Sequence, residues 1–479
     1  FVQPPQGGFF VVKIVNTERN YKEKEPKLNS SIPFIVMKPG GNDTVLFMEI
    51  IEDSKQRKKL NDVIMKFYPN AEQVGFVALG KDPRLLMAGG EFCGNATRST
   101  AWLALEGKTG TVNIQVSGVE KRLKAGVTKD GEAFGQMPIF SDFSKIKKES
   151  QDSENYIVGM EGITHMVTFD TKQIEGYSEE EIKNKSIQML KSRGLDQEPA
   201  AGIIYAKKTG DGWKIDPVVY VKAIDTLFYE TACGSGTTAL GLALALKDKK
   251  SIRGVPILQP SGLPIKISVE YTEEGFGGAQ IQGPVEVIAT GTLEENADFD
   301  YIVEQVKSKK QLTSLLQNGL VKLYQQVFSD APYFEEFTDE EVIAYYDNYF
   351  KNGLVSVARN ERGIIGFAVT IALSAEPEIA ELSKKFGIDP EKTSYFAELG
   401  ITKELRGRGM GERICQEQLE GLLKGCTVLV RTAADNFIAQ TLYKKLGFQE
   451  IIEMKQDVFQ TRIDGAAQTD RRVFLVKKL

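Results

Sequence analysis

Two stretches of this chain say nearly the same thing. Residues 89–100 read GGEFCGNATRST and residues 229–240 read YETACGSGTTAL. Each places a glutamate before Cys-Gly, follows with small and hydroxylated residues, and runs into an alanine-rich apolar segment. The copies stand about 140 residues apart, which constrains the fold to a duplication: two lobes of one α+β design, each with a helix that begins at a cysteine.

The flanking pattern agrees. From Ile32, IPFIVM, TVLFMEI, VGFVAL and VNIQVSG read as short strands between turn residues, and SKQRKKLNDVIMKFY as a helix. The second copy brings HMVTFD, GIIYAKK, DPVVYVKAI, LPIKISVEY and PVEVIATGTL as strands. SEEEIKNKSIQMLKSRG reads as a helix with an acidic first turn and a glycine stop. Residues 1–31 are a lead-in arm, and EENADFDY (294–301) is a linker. Beyond it, 301–328 and TDEEVIAYYDNYFKNG read as helical, and further strands follow. The expected domains are therefore 32–295, with lobes at about 32–155 and 156–295, and 300–479.

Composition narrows the function. The net charge is −5 and basic residues are dispersed, so nucleic acid is not an expected partner. No apolar run approaches a membrane span, and GGFFVVKIV is too short and wrongly flanked for a signal peptide. Four cysteines without a CxxC fit a reducing cytoplasm. The single histidine and the wide cysteine spacing give no zinc pattern, so no metal is expected.

A helix N-terminus presents unpaired N–H groups and partial positive charge. It lowers a nearby thiol pKa and binds carboxylates. Facing lobes would bring Cys93 and Cys233 to opposite sides of the α-carbon of a small carboxylate. Gly94, Asn95, Gly234 and Ser235 would contact it, with Glu230 beside them. One thiolate would remove the α-proton and the other thiol would return one to the opposite face. Two buried core cysteines, or a redox disulfide between them, are the competing readings.

GGNDTVLF (40–47), EFCGNATR (91–98), GITHMV (162–167) and ETACGSGT (230–237) resemble, in order, the motifs of diaminopimelate epimerase and its cofactor-independent racemase relatives. The resemblance implies two pseudo-symmetric lobes, Cys93 and Cys233 as the acid–base pair, Asn42 as a substrate contact and His165 assisting Cys93. The stretch before Cys233 departs from the epimerase. Asp225 is then the expected partner of Cys233, and Thr226 replaces the arginine that recognises a distal carboxylate, which argues against diaminopimelate. KPGGNDTVLF, EQVGFVAL, LLMAGGEFCGNAT and ILQPSG are similar to the histidine racemase subgroup, which nominates Glu72 at the substrate side chain. No cofactor is expected for this domain. An isomerase of another amino acid, and a redox-switched or acyl-CoA-sensing binding protein, are the alternatives.

AELGITKELRGRGMGERICQEQL (397–419) carries a glycine-rich turn into a helix, a shape that cradles pyrophosphate. With VLVRTAADNFIAQTLYKKLGFQEI (428–451) it resembles the GNAT N-acetyltransferases. The resemblance implies acetyl-CoA as cofactor, held around Arg406, Arg408, Gly409, Met410, Gly411 and Asn436. It makes Tyr443 the acid to the departing thiolate and Glu398 the base for the amine, with a packed aromatic as the competing reading of Tyr443. The expectation is a bifunctional enzyme, α+β followed by α/β, acting on an amino acid. A homodimer is left open.

Overall fold

The computed structural model describes residues 30–479 except 151–152, 211, 296–299, 331–332 and 462–466. Most of the lead-in arm therefore lies outside the described residues, while Ser30 and Ser31 begin a strand, Ser30–Pro39. The chain divides into two compact units, one built on Phe34–Val287 and the other on Ile288–Leu479.

The first unit holds helices α1 (Ser54–Phe67), α2 (Gly94–Ala104), α3 (Glu179–Ser192) and α4 (Gly234–Asp248). Asp53 caps α1, and Leu60, Ile64 and Phe67 recur on its buried face at helical spacing. Helices α2 and α4 are the lobe centres. Helix α2 packs on the strands Gly110–Val116, Leu123–Val127 and Ala133–Gln136; α4 packs on Ile163–Thr168, Ala200–Thr209, Pro264–Tyr271 and Phe276–Gly283. Every residue of α4 from Gly234 to Ala245 is buried. Small residues and leucines on all sides suit a helix with no solvent face. The lobes share a sheet, because Ala133–Gln136 pairs antiparallel with the strand Phe276–Gly283, Gln136 opposite Gln280.

The second unit holds α5 (Lys309–Leu315), α6 (Val321–Ser329), α7 (Asp339–Asn352), α8 (Pro377–Lys384), α9 (Met410–Glu420) and α10 (Phe437–Lys445). The helical reading of 301–328 needs correction. Tyr301–Gln305 is a strand paired with residues 290–294, because its buried Ile302 and Val303 suit a sheet core. Non-helical Asn318 and Gly319 interrupt the helix between α5 and α6. Glu294, assigned to a linker, belongs to a strand.

A mixed sheet divides this unit. Phe367, Val369 and Leu429 enter the core under α5–α8, while the alternating Ala368, Val428 and Val430 enter the core under α9 and α10. The strand Thr393–Ile401 runs parallel to Thr427–Ala433. Their pairing ends at Phe396 opposite Val430, and a bulge against Val369/Thr370 follows at once. The two strands therefore separate beyond Phe396, opening the sheet beside Glu398. Among the described residues no helix is long and apolar enough to cross a membrane.

Candidate active sites

The duplicated cysteine stretches become duplicated geometry. Cys93 is the N-cap of α2 and Cys233 the N-cap of α4, and each sulfur accepts the backbone N–H three residues on: Ala96 at 3.4 Å and Gly236 at 3.2 Å. The hydroxyls of Thr97 and Thr237 each return to the cysteine carbonyl at 2.7 Å. The helix starts meet. Asn95 Nδ2 donates to the Ala232 carbonyl at 2.7 Å, and a Cβ on Gly234 would lie 3.5 Å from Asn95 N and 2.7 Å from Ile281. Cys93, Gly94, Asn95, Glu230, Gly234 and Ser235 line one cavity. Both thiols are free, Cys93 part-buried and Cys233 buried.

The expected thiol activation is not what this cleft does at rest. Burial, with the carboxyls of Glu230 and Glu91, pushes Cys93 up to about 12; burial and Glu230 raise Cys233 well above its ordinary value. Desolvation and carboxylates outweigh the helix N-termini. Both thiols are protonated near neutral pH.

The partners also differ from expectation. Asp225 is exposed and accepts from the Tyr220 hydroxyl at 3.0 Å. Glu230 instead accepts the Cys233 thiol proton in a hydrogen bond. His165 lies beside the other cysteine from the one expected: its Nε2 is 2.8 Å from Ser235 Oγ, which is 3.5 Å from Cys233 Sγ. The reason is topological, because the strand carrying His165 packs beneath α4. Burial lowers His165 to about 3, so it is neutral.

Asn42, fully buried, holds Glu72 through Nδ2 at 2.6 Å. Glu72 also accepts from the Thr231 backbone at 2.9 Å. Burial and Glu230 raise Glu72 to about 8, and burial raises Glu230 to about 7. Sequence reasoning missed three side chains. Gln73 Nε2 donates to Glu230 at 2.9 Å. Gln259 accepts the Cys233 N–H at 2.9 Å and fixes the start of α4. Glu91 lines the cleft, and its place two residues before Cys93, as Glu230 stands three before Cys233, was the available signal.

In the second unit, Arg406, Gly407, Arg408 and Gly409 form an exposed turn into α9. Gly407 and Gly409 have φ of 78° and 82°, and α9 has no side-chain cap. A Cβ at either glycine would meet nothing within 4 Å. An uncapped helix start behind an exposed glycine turn fits a pyrophosphate, although Met410 itself is buried. Asn436 caps α10 and donates to the Tyr333 hydroxyl at 3.2 Å. Glu398 accepts from Tyr349 at 2.8 Å and Tyr324 at 3.2 Å, and burial raises it to about 7. Glu398 therefore changes charge near neutral pH. Tyr443 is 5% exposed, its ring edge-on to Phe396 and Phe448, with Tyr333 and Glu398 in electrostatic range.

Facing lobes with paired N-capping cysteines, followed by a splayed sheet with a glycine-rich helix entry, define a racemase joined to an acetyltransferase. Residues 31–293 match the histidine racemase CntK N-terminal domain family, and 351–450 match the acetyltransferase (GNAT) domain. The chain belongs to the histidine racemase family and carries a GNAT domain after it. A histidine racemase of Fusobacterium nucleatum is 36% identical over 276 residues, covering 55% of this chain and 96% of that protein. The histidine racemase of Staphylococcus aureus is 23% identical, covering 54% and 96%. A hydroxyproline epimerase from Agrobacterium vitis aligns at 12% identity over 56% of this chain and 94% of its own, with a TM-score of 0.40.

Proposed function

We propose that the first unit racemises free histidine by two-thiol proton transfer, and that the second acetylates one enantiomer of the product. The observation that carries this reading is the matched pair of N-capping cysteines on helices that begin face to face. The N–H groups at both helix starts hold the substrate carboxylate. Glu230 accepts the proton of Cys233. The Cys233 thiolate removes the α-proton, and the Cys93 thiol gives its proton to the opposite face; the reverse reaction exchanges the roles. Ser235 and neutral His165 keep the Cys233 sulfur hydrogen-bonded as its charge changes. Glu72 and Glu230 disfavour an acidic side chain and favour an imidazole, in keeping with the relatives' named substrate.

In the second unit, acetyl-CoA when bound would supply the acetyl group. The turn 406–411 would hold its pyrophosphate, Glu398 would take the amine proton, and Tyr443 would give its hydroxyl proton to the departing thiolate. Enantiomers have equal free energy, so racemisation alone stops near a one-to-one mixture, and acetylation of one enantiomer drains it.

Proton NMR in D₂O tests both halves. With L-histidine, loss of the α-proton signal is expected, abolished by Cys93→Ala or Cys233→Ala. Adding acetyl-CoA should produce an N-acetyl resonance from one enantiomer. No exchange with any amino acid would overturn the racemase half, and equal acetylation of both enantiomers would overturn the coupling.

A further inference from the structure

Among the buried acids of the first unit, Glu91 stands apart. It is 7% exposed, and its Oε2 has no hydrogen-bond partner among the described residues. A buried carboxylate oxygen left bare costs several kcal/mol unless something fills the place. The side chain lines both halves of the cleft. On one side it shares a cavity with Cys93, Gly94 and Ser235, and on the other with Glu72 and Glu230. Gly89 makes room for it, since a Cβ there would lie 2.6 Å from Oε2.

The neighbouring charges do not serve it. Arg57, the cation nearest in effect, spends its guanidinium on the carbonyls of Ala88, Ile51 and Glu52. Arg98 is spent on Asn95 and the Pro284 carbonyl. Glu230, Glu72 and the two thiols are all acids. Glu72 and Glu230 have partners of their own in Asn42, Thr231 and Gln73. Glu91 is the one cleft acid with an oxygen still to satisfy, and no lysine or arginine lines either cavity. Backbone N–H groups of Gly89 and Glu91 reach the carboxyl, which leaves Oε2 as the oxygen open to a donor on the substrate.

We propose that Glu91 is a substrate-contacting specificity residue, its bare Oε2 accepting an N–H from the α-ammonium or side chain of a nitrogen-rich, cation-capable amino acid. The proposal rests on the racemase reading for the identity of the cleft, and it assigns Glu91 a binding role, not the proton shuttling given to the cysteines. Burial holds Glu91 near 7, so it ionises readily once a cation stands beside it.

The test uses the full chain with Glu91→Gln and Glu91→Asp, read by L-histidine calorimetry, steady-state kinetics and thermal unfolding at pH 8. Glu91→Gln should weaken histidine binding and raise KM about tenfold or more, as for one hydrogen bond to a charged group, with kcat changed far less. Glu91→Asp should recover part of the loss. The Tm of Glu91→Gln should equal or exceed that of the parent, because an unpaired buried charge is gone; a merely structural glutamate would lower it. Unchanged affinity, or a fall in kcat at constant KM, would overturn the proposal. Glu91-dependent histidine binding without any α-proton exchange would overturn the racemase reading and leave this one standing. A parent chain that neither binds nor exchanges histidine overturns both.

Discussion

Glu72, Glu91 and Glu230 all have folded pKa values raised from the ordinary 4.5, to about 8, 7 and 7. Each is protonated in the folded chain at pH values where its unfolded form is ionised. Their contribution to stability is fully present below about pH 4.5 and is lost as pH rises through 7 to 8. His165, lowered to about 3, acts oppositely: its contribution is present above its ordinary 6.5 and is lost as pH falls through about 3. Glu72→Gln removes one proton from this balance, so the Tm difference between variant and parent should grow in the variant's favour from pH 5.5 to 8.5. A constant difference would contradict the raised pKa. Ser235 is the link between His165 and Cys233. Ser235→Ala should keep the fold and lower kcat for racemisation by about tenfold or more, with KM moved less; an unchanged kcat would show the link idle.

The helices entered at cysteines, and the glycine-rich entry to α9, were legible because helix starts are local: a capping residue, small neighbours, an apolar run. What stands beside each thiol was not legible. Asp225 sits at φ 51°, turned outward by the short helical turn it ends, and the strand Thr226–Tyr229 then delivers Glu230 to Cys233. The family resemblance pairs His165 with Cys93, whereas its strand's seat under α4 brings the ring to Ser235 beside Cys233, a contact that sequence spacing does not reveal. The strand at 301–305 was hidden by the long helical pattern after it. At this scale the close approach of α2 and α4 gives a prediction. Gly234→Ala would push a methyl to 2.7 Å from Ile281. It should cost about 1–3 kcal/mol of stability and most racemase activity, while leaving acetyl-CoA binding intact. Unfolding curves and cofactor titration on one preparation check both.

Among the described residues, two buried clusters are built from the first unit and two from the second. Calorimetry should therefore resolve two transitions. Acetyl-CoA at about a hundredfold its Kd should stabilise only the acetyltransferase transition, by about 2.7 kcal/mol. A single transition moved as a whole by the cofactor would mean that the two units unfold together.

The sole histidine of 479 residues lies 2.8 Å from Ser235, which touches the Cys233 thiol. An NMR spectrum of this chain grown with labelled histidine would contain one imidazole and need no assignment. That ring would report, in a single resonance, the proton on Nε2, the entry of substrate and the charge on the neighbouring sulfur. The fold has installed its own spectroscopic probe at the place where the chemistry is expected.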